Sequence, residues 1–386
     1  MPTKILVVDD EPQLERLILQ RLRRKIRDKS YEFTFALNGV EALEKLEEHD
    51  DIEIILSDIN MPKMDGLTLL SKLDSENKLL KTVMVSAYGD MQNLRTAMNR
   101  GAYDFVIKPI DFNDLELTIN KATAEIEQLK EAERARHELE HVQKELNIAS
   151  EVQQAILPRN FSIIPQNAPF ELYAEMIPAK EVGGDFYDFF RLGDEHLAFV
   201  IGDVSGKGTP AALFMAISRT LLKATALKGM QPKECIEQVN YLLSQDNPRA
   251  MFVTLFYGIL DFRSGAIEYI NAGHNPPVLF NSNGKAEYLS KSKNMALCLL
   301  EDFRFESGNT RLDPNDGILL YTDGITEAMD QARNEFSDQR LLDYVQTVAS
   351  RPVREIVDGV VREVQRFSDG TEQFDDITAL AIRRPA

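Results

Sequence analysis

Short β-branched runs alternate five times with amphipathic stretches over the first 120 residues, and this alternation constrains the fold more than any other feature. The runs are KILVVD, YEFTFA, IEIILSD, KTVMVSA and YDFVIK, and a helical pattern follows each. Strands separated by helices pair in parallel through right-handed crossovers, which place helices on both faces of the sheet. We therefore predict a doubly wound α/β domain with a five-stranded parallel sheet over residues 1–120, with functional groups at the carboxyl ends of its strands.

A stretch without glycine or proline runs from Leu115 to Ile156 and predicts one long helix. Its apolar residues form two heptad-like seams that are one residue out of phase. The seams are Leu115, Ile119, Ala122, Ile126 and Leu129, and then Leu139, Val142, Leu146, Ala149 and Ile156. We favour a coiled-coil linker helix over residues 121–158 that makes the protein a homodimer. For the first half, the alternative is a single helix that lies on the first domain and extends its last helix.

Strand patterns return over residues 159–386. They include FELYAEMI, HLAFVIGDV, AMFVTLFYGILD, AIEYINAG and GILLYTDG, and two pairs of helical stretches are grouped apart from them. Hairpin-like strands with separately grouped helices are typical of an antiparallel arrangement. We predict an α+β antiparallel sandwich for this second domain.

The charge balance argues against two classes of partner. Lys and Arg number 44 against 62 Asp and Glu, which gives a net charge of −18 that repels nucleic-acid phosphates and anionic lipids. No apolar stretch approaches the ~18 residues that cross a bilayer. The two cysteines, Cys235 and Cys298, lie outside any CxxC pattern. We expect a cytoplasmic protein with no direct nucleic-acid contact, no membrane insertion, and neither a disulfide framework nor a zinc cluster.

Polar residues end the strands of the predicted parallel sheet. Asp9 and Asp10 end the first strand and Asp58 ends the third, while Ser86 and Lys108 end the fourth and fifth. Because these ends converge, the three carboxylates would repel one another unless a cation such as Mg²⁺ neutralised them. An Asp carboxylate can accept a phosphoryl group, and the Lys108 ammonium could pair with its oxygens. Taken singly, these aspartates could instead cap a helix or a loop.

The same residues belong to four motifs through which this region resembles the receiver domain of two-component response regulators. The resemblance implies that a sensor histidine kinase phosphorylates the protein on Asp58. It also implies a Mg²⁺ ion bound by Asp10, Asp58 and the backbone carbonyl of Asn60, with Asp9 assisting through water. The motifs are VVDDE at 7–11, LSDINMPKMDG at 56–66, VSA at 85–87 and IKP at 107–109.

The resemblance also assigns the residues that would respond to phosphorylation. Ser86 and Phe105 fall at the switch positions, and Lys108 is grouped with them as a switch residue. Phe105 stands where Tyr is frequent, so its ring cannot use a phenol hydrogen bond. Lys108-Pro109 matches a position at which the family has a cis peptide.

A second set of carboxylates lies in four acidic segments of the C-terminal region, which we expect at turns after strands. Carboxylates without nearby His or Cys select hard cations, and two divalent ions that share a water would generate a hydroxide nucleophile. Four carboxylates and two such ions sum to zero charge, which allows a phosphomonoester to approach. Singly, each Asp-Gly pair could be no more than a turn. The segments are VGGDFYD at 182–188, IGDVSGKG at 201–208, YTDG at 321–324 and FDDIT at 374–378.

Taken in order, these segments resemble the metal-dependent type 2C protein phosphatases, in the bacterial SpoIIE and RsbU-like branch, over about residues 148–384. VQQAILP at 152–158 and YINAGHNPP at 269–277 match that branch as well. The resemblance implies two, or at most three, Mn²⁺ or Mg²⁺ ions. Their ligands would be Asp185, Asp203, the backbone carbonyl of Val204, Asp323 and Asp375.

Three further residues rank below these ligands. Asp376 stands where the wider superfamily often has Asn. Lys180 is a candidate to replace the phosphate-gripping arginine of many eukaryotic relatives, which has no evident counterpart here. His274 could serve as a general acid, but we favour a structural role in the turn Asn-Ala-Gly-His-Asn, where it would fix the loop by hydrogen bonding.

Both resemblances together imply a response regulator in which phosphorylation of Asp58 controls a metal-dependent protein serine/threonine phosphatase. The expected substrate is a phosphoserine or phosphothreonine protein, specifically an anti-sigma-factor antagonist, and we expect phosphorylation to activate. The alternative is a phosphorylation-controlled adaptor that binds a protein through an inactive phosphatase-like domain. The turn Gly183-Gly184-Asp185-Phe186 is also similar to the signature of diguanylate cyclases, but the other three acidic segments have no place in such an enzyme.

Overall fold

The computed structural model describes residues 2–73, 79–87, 90–164, 169–245 and 247–385. The chain divides into two compact units, Met1–Val142 and Gln143–Ala386. Each unit has hydrophobic cores of its own, and the two are described in turn.

The first unit contains a sheet whose strands are β1 (Thr3–Val8), β2 (Tyr31–Ala36), β3 (Ile54–Asp58), β4 (Lys81–Ala87) and β5 (Asp104–Lys108). The strands pair in parallel in the order β2-β1-β3-β4-β5. The helices are α1 (Pro12–Arg21), α2 (Arg23–Arg27), α3 (Gly39–Glu48), α4 (Gly66–Lys72), α5 (Met91–Asn99) and α6 (Phe112–Ile156). The predicted doubly wound parallel sheet is confirmed.

Both faces of this sheet are buried, which explains why its strands read as continuous apolar runs. Ile54 and Leu56 of β3 lie in one core, whereas Ile55 lies in a second core, because successive side chains of a strand point to opposite faces. Parallel strands share one carboxyl edge. Asp58 at the end of β3 and Lys108 at the end of β5 are therefore placed at the same edge of the sheet.

Helix α6 has two halves with different surroundings. In its first half, Leu115, Ile119, Ala122 and Ile126 are buried in the core that also holds Val106 of β5. The first seam therefore packs as the last helix of the first unit, in agreement with the alternative considered for that half. In the second half, Leu139 and Val142 are 67% and 46% exposed, and Leu146, Ala149 and Ile156 are half-buried.

Two five-stranded antiparallel sheets form the second unit. Its strands are β6 (Glu171–Ile177), β7 (Phe186–Leu192), β8 (His196–Val204), β9 (Val253–Asp261), β10 (Ala266–Ala272), β11 (Val278–Asn281), β12 (Ala286–Tyr288), β13 (Gly308–Arg311), β14 (Asp316–Tyr321) and β15 (Ile377–Arg383). The strand orders are β13-β10-β9-β8-β7 and β12-β11-β14-β15-β6. The helices are α7 (Thr209–Ala226), α8 (Pro232–Gln245), α9 (Asp323–Thr326), α10 (Ser337–Val348) and α11 (Val353–Phe367).

The two sheets pack face to face and helices cover their outer faces. Ile318 and Leu320 of β14 lie in the core shared with β8 and β9, while Leu319 and Tyr321 lie in the core under α10 and α11. Helices α7 and α8 pack on the sheet that contains β8. The predicted antiparallel α+β sandwich is confirmed, and its strands are apolar at successive positions because both faces are covered.

The cysteines and the helices bear on two further expectations. Cys235 is buried and Cys298 is half-buried, and both are free thiols. Across the described ranges, no helix combines the length and the apolar character that a membrane span requires.

Candidate functional sites

The first candidate site lies at the carboxyl edge of the parallel sheet. Asp9 and Asp10 follow β1, Asp58 ends β3, and one carboxylate oxygen of each lies within 4.8 Å of the others. The Lys108 Nζ at the end of β5 lies 2.8 Å from Asp9 Oδ2 and 2.7 Å from Asp58 Oδ2. The sequence-predicted residues of this cluster are therefore brought together, in a donor set that fits an oxygen-coordinated Mg²⁺ ion.

The charges of this cluster partly balance one another. Burial raises the pKa of Asp9, although the hydrogen bond from Lys108 opposes the effect. Burial lowers the pKa of Lys108, but its hydrogen bonds to Asp58 and Asp9 outweigh that cost and the net shift is upward. Lys108 therefore stays an ammonium ion at any physiological pH, and it holds the two carboxylates in place.

Asp58 is buried, like Asp9, and its carboxylate contacts the loop after β3. Its Oδ1 accepts a hydrogen bond from the Ile59 backbone N–H at 2.6 Å, and the Asn60 N–H lies 3.4 Å from the same oxygen. Asn60 and Asp10 are exposed. Asp9 Oδ1 accepts from the Glu11 backbone N–H at 2.8 Å, just before α1, while its Oδ2 pairs with Lys108.

The two switch candidates lie on β4 and β5 beside this cluster. Ser86 is fully buried, and its Oγ lies 3.5 Å from the carbonyl oxygen of Ala87. Phe105 is half-buried and packs against the core that contains Met84 and Leu94. The Lys108-Pro109 peptide is cis, as the resemblance implied.

The second candidate site gathers carboxylates from four segments of the second unit. Asp203 is the penultimate residue of β8, and Asp323 begins α9 directly after β14. Asp185 lies in the connection from β6 to β7, directly before β7. Asp375 lies after α11 and before β15, so the expectation that all four acidic segments follow strands is wrong for the segment FDDIT. The physical reason is the antiparallel pairing, because the start of one strand and the end of its neighbour lie at the same edge of such a sheet.

Two threonines that sequence reasoning missed hold the Asp185 carboxylate. The Oγ1 atoms of Thr322 and Thr378 donate to Asp185 Oδ2 at 2.7 and 2.5 Å. All three residues are buried. Their only sequence signal is position, since Thr322 directly precedes Asp323 and Thr378 closes the segment FDDIT.

Burial and the mutual repulsion of carboxylates together raise the pKa values of this site. Burial, followed by the charges of Asp203 and Asp376, raises the pKa of Asp185 well above its ordinary range. Burial and the charges of Asp323, Asp375 and Asp376 raise the pKa of Asp203 to about 7. Burial and Asp375 also raise the pKa of Asp323. A set of carboxylates that repel one another in this way, without His or Cys, fits hard divalent cations.

Close backbone approach accompanies this clustering. A Cβ added to Gly184 would lie 2.7 Å from the Val204 carbonyl oxygen and 3.4 Å from Asp203 Oδ1, so glycine is needed there. The Val204 carbonyl thus faces the Asp185 loop. Among the described residues, the spacing of three carboxylate oxygens within 4.8 Å occurs in the Asp9 cluster and not in this one.

The lower-ranked residues occupy distinct positions. Asp376 Oδ1 accepts from the Ala179 backbone N–H, and its Oδ2 accepts from those of Gly184 and Asp185, at 2.8, 2.8 and 3.2 Å. These bonds use the Asp376 carboxylate to fix the loop that carries Asp185. The side chain of Lys180 is exposed in that loop.

Lys207 is a cation beside the carboxylates that sequence reasoning missed. Its Nζ lies 2.9 Å from Asp375 Oδ2, donates to the Phe374 carbonyl oxygen at 2.5 Å, and lies 3.6 Å from the centre of the Phe374 ring. Its position in Ser-Gly-Lys-Gly, four residues after Asp203, could have signalled it.

His274 is a buried, neutral side chain. Burial lowers its pKa to about 4. Its Nδ1 lies 3.0 Å from Thr254 Oγ1, and its backbone N–H donates to Asn271 Oδ1 at 2.8 Å. These contacts fix the loop after β10, which favours the structural role over that of a general acid.

A cleft opens beside the second site. It has a volume of about 700 Å³ and is lined in part by Gly324, Met329, Arg333, Phe374 and Asp375. Phe374 is 77% exposed at this cleft. The cleft can therefore accept a side chain or a short peptide next to a carboxylate of the site.

Comparisons with known proteins agree with both sites. A family profile described as Stage II sporulation protein E (SpoIIE) matches residues 193–385, and one described as response regulator receiver domain matches residues 5–120. Asp203, Asp323 and Asp375 fall within the first match, and the Asp9 cluster falls within the second.

Individual relatives match this chain over different lengths. Protein IcfG of Synechocystis is 35% identical in an alignment of 267 positions that covers 62% of this chain and 41% of IcfG. Phosphoserine phosphatase RsbU of Bacillus subtilis is 28% identical over 250 residues, which are 64% of this chain and 71% of RsbU. The crystal structure of the RsbU and RsbW domains of Rv1364c from Mycobacterium tuberculosis is 31% identical with a TM-score of 0.51, and the match covers 56% of this chain and 61% of that chain.

Proposed function

Because the chain belongs to the SpoIIE family and carries a response regulator receiver domain, we propose that it is a metal-dependent phosphoprotein phosphatase controlled by phosphorylation of Asp58. In this proposal residues 1–120 are the receiver, residues 121–158 the linker helix and residues 159–386 the phosphatase domain. The observation that carries it is the presence, in one chain, of two separate carboxylate clusters with the chemistry of these two functions.

The phosphatase proposal rests on the repelling carboxylates of the second unit. Asp185, Asp203, Asp323 and Asp375, with the Val204 carbonyl, would hold two, or at most three, Mn²⁺ or Mg²⁺ ions. When bound, such ions activate water and neutralise phosphate oxygens. The threonines at Asp185 keep that carboxylate oriented as a ligand, which is the usual role of residues that contact a metal ligand.

The substrate contacts follow from the same geometry. The Lys207 ammonium beside Asp375 supplies a positive charge at the site, and Lys180 is a second candidate from the exposed loop. The cleft beside Asp375 accommodates the residues that flank a phosphoserine or phosphothreonine. The substrate that we propose is a phosphorylated regulatory protein, specifically an anti-sigma-factor antagonist. The phosphoserine phosphatase relative RsbU supports the phosphoserine class.

The receiver proposal rests on the Asp9 cluster. Asp58 would take a phosphoryl group from the phosphohistidine of a sensor histidine kinase. A carboxylate oxygen of Asp58 forms the new bond to phosphorus, and the bond from phosphorus to the histidine nitrogen breaks. Lys108 would pair with the added oxygens, and Asp9, Asp10 and the Asn60 carbonyl would hold Mg²⁺ with Asp58. Ser86 and Phe105 would then respond as switch residues.

Exposed apolar residues in the second half of α6 support a homodimer. Leu139 and Val142 of the second seam, and Ile148 and Val152 beside it, are each between 46% and 67% exposed. Burial of such apolar side chains against a second copy is favourable in proportion to the area removed from water. The free thiols and the net charge of −18 support a cytoplasmic location without nucleic-acid contact.

Hydrolysis of p-nitrophenyl phosphate and of a phosphoserine peptide by the full chain tests the phosphatase proposal. We expect turnover with Mn²⁺ or Mg²⁺ and none in excess chelator, because the carboxylates provide no nucleophile by themselves. The adaptor alternative predicts no metal-dependent turnover of either substrate, together with binding of a protein partner. Such a result would overturn the enzymatic assignment.

A further inference from the structure

Gln153, near the end of helix α6, forms an unusual contact with the loop that precedes β7. Its side-chain Nε2 donates to the Gly183 carbonyl oxygen at 2.6 Å, and its Oε1 accepts from the Gly183 backbone N–H at 3.0 Å. The amide side chain thus satisfies both polar backbone groups of one residue. We call this pair of hydrogen bonds the Gln153 clamp.

The Gln153 side chain is buried, although the side chains next to it on the helix are exposed. Gln153 is 6% exposed, whereas Glu151, Val152 and Gln154 are exposed. A buried amide is costly unless its donor and its acceptor are both paired. Gln153 meets this condition through Gly183, so a side chain without both groups cannot replace it at equal cost.

Gly183 is held on its other side by Asp376. A Cβ added to Gly183 would lie 2.0 Å from Asp376 Oδ2, so the position admits only glycine. The same Asp376 oxygen accepts from the backbone N–H groups of Gly184 and Asp185. The segment from Gly183 to Asp185 is therefore fixed between the helix and the residues before β15.

Asp185 is thereby restrained at both its backbone and its carboxylate. Asp376 bonds its N–H group, and Thr322 and Thr378 bond its Oδ2. A shift of Gln153 would move Gly183, two residues before Asp185, and would change where that carboxylate lies. Thr322 directly follows β14, and Asp376 and Thr378 lie at the start of β15, whereas Gln153 lies on α6, the helix that begins at Phe112.

We propose that Gln153 is a positioning residue that sets the Asp185 loop from the linker helix and so controls how well the phosphatase site binds its divalent ions. The proposal rests on the proposed function. It gives the helix a defined point of action on the site, through Gly183.

The test compares Gln153→Met with Gln154→Met in the full chain. Both substitutions replace Gln by an apolar side chain of similar size, and Gln154 is the exposed neighbour that bonds Arg159. Isothermal titration with Mn²⁺ alone should show about 10-fold weaker binding for Gln153→Met, since loss of a residue that orients a metal ligand usually costs 10–100-fold. Gln154→Met should bind within about twofold of the wild type.

Two further readouts separate positioning from a general loss of structure. At saturating Mn²⁺, Gln153→Met should regain most of its turnover with an unchanged KM for p-nitrophenyl phosphate. Hydrogen exchange in peptides that span residues 179–187 should be faster in Gln153→Met and unchanged in Gln154→Met. Equal Mn²⁺ affinity and equal exchange in both variants and the wild type would overturn the proposal.

A further measurement uses the wild-type protein, so it does not require any variant to fold. Beryllofluoride, which mimics the acyl phosphate on Asp58, should change the exchange of the same peptides, and unchanged exchange would contradict the proposal. Failure of the proposed function has a different signature, because the wild type would then hydrolyse no phosphomonoester with any divalent metal. Normal wild-type turnover with a Gln153→Met variant that binds Mn²⁺ normally would overturn the positioning role alone.

Discussion

Both clusters place negatively charged carboxylates close together, but the two clusters balance this repulsion differently. In the first unit, the Lys108 ammonium bonds both Asp9 and Asp58, so the chain itself supplies a cation. In the second unit, Asp203 and Asp323 face further carboxylates, and Lys207 forms its ion pair with Asp375 at the exposed side of the site. The first cluster is held together by internal charge, whereas the second depends on ions from solution.

Because of this difference, we expect the first cluster to respond to phosphorylation and the second to small movements of its carboxylates. A cluster with its own cation keeps its geometry and changes charge at one point, Asp58, when it is phosphorylated. A cluster of repelling ligands is poised so that small movements of one carboxylate change metal affinity strongly. The comparison therefore explains why a signal received at the first cluster can be read out at the second with a modest structural change.

The largest expected effect comes from removing a carboxylate of the second cluster. Asp203→Ala should lower turnover of p-nitrophenyl phosphate by at least about 10³-fold, because metal-stabilised charge contributes several kcal/mol to such reactions. Steady-state kinetics with Mn²⁺ measures this. Asp302→Ala, at an exposed aspartate, is the matched control and should retain wild-type turnover. Full activity of Asp203→Ala would refute the metal site.

Removing the phosphoacceptor should abolish labelling of the first cluster. Asp58→Asn keeps the size of the side chain but cannot form an acyl phosphate, so labelling by radioactive acetyl phosphate should fall to background. Asp50→Asn, at an exposed aspartate of the same unit, should label normally. Labelling of Asp58→Asn at the wild-type level would show that another residue accepts the phosphoryl group.

Removing each lysine tests the contrast between the clusters directly. Lys108→Met leaves Asp9 and Asp58 without their cation and should destabilise the first unit by about 2 kcal/mol. Mg²⁺ should restore part of this loss. Lys207→Met removes a more exposed ion pair and should change the unfolding free energy of the second unit by less than about 1 kcal/mol. Urea unfolding of the full chain, followed by hydrogen exchange in each unit, measures both. Equal losses would remove the proposed contrast.

The smallest effect, a factor of two in mass, concerns the two halves of helix α6. Most of the first seam is buried within the first unit, whereas Leu139 and Val142 of the second seam are exposed, so we expect the second half of the helix to bind another copy. Leu139→Lys should convert a dimer to a monomer in light scattering at micromolar concentration. Glu138→Lys adds the same positive side chain at the preceding exposed position and should leave the dimer intact. A wild-type monomer, with and without beryllofluoride, would exclude the dimer.

Local sequence patterns were sufficient for the elements that are buried on both faces. HLAFVIGDV predicted the strand that the structure places at His196–Val204, and KTVMVSA predicted the strand at Lys81–Ala87. In both strands, apolar residues occupy successive positions because both faces of the strand are covered by other elements. The aspartates at strand ends were visible for the same reason, because each interrupts an apolar run.

Residues that act across long separations left no such pattern. Thr378 bonds Asp185 across 193 positions, and Gln153 bonds Gly183 across 30. Lys207 approaches Asp375 only because the loops after β8 and before β15 converge. Antiparallel pairing brings the starts of some strands to the ends of others, so the spacing of acidic segments along the chain could not indicate that Asp185 and Asp375 precede strands.

The central claim is that the charge state of the first cluster sets the activity of the second, and beryllofluoride tests it most directly. We predict that beryllofluoride with Mg²⁺ raises kcat/KM of the full-length protein about 10-fold, which needs only about 1.4 kcal/mol of differential stabilisation between two states. Asp58→Asn should show no response, because it lacks the carboxylate to which beryllofluoride binds. Unchanged kcat and KM in the wild type, with beryllofluoride binding to the receiver verified, would contradict the account.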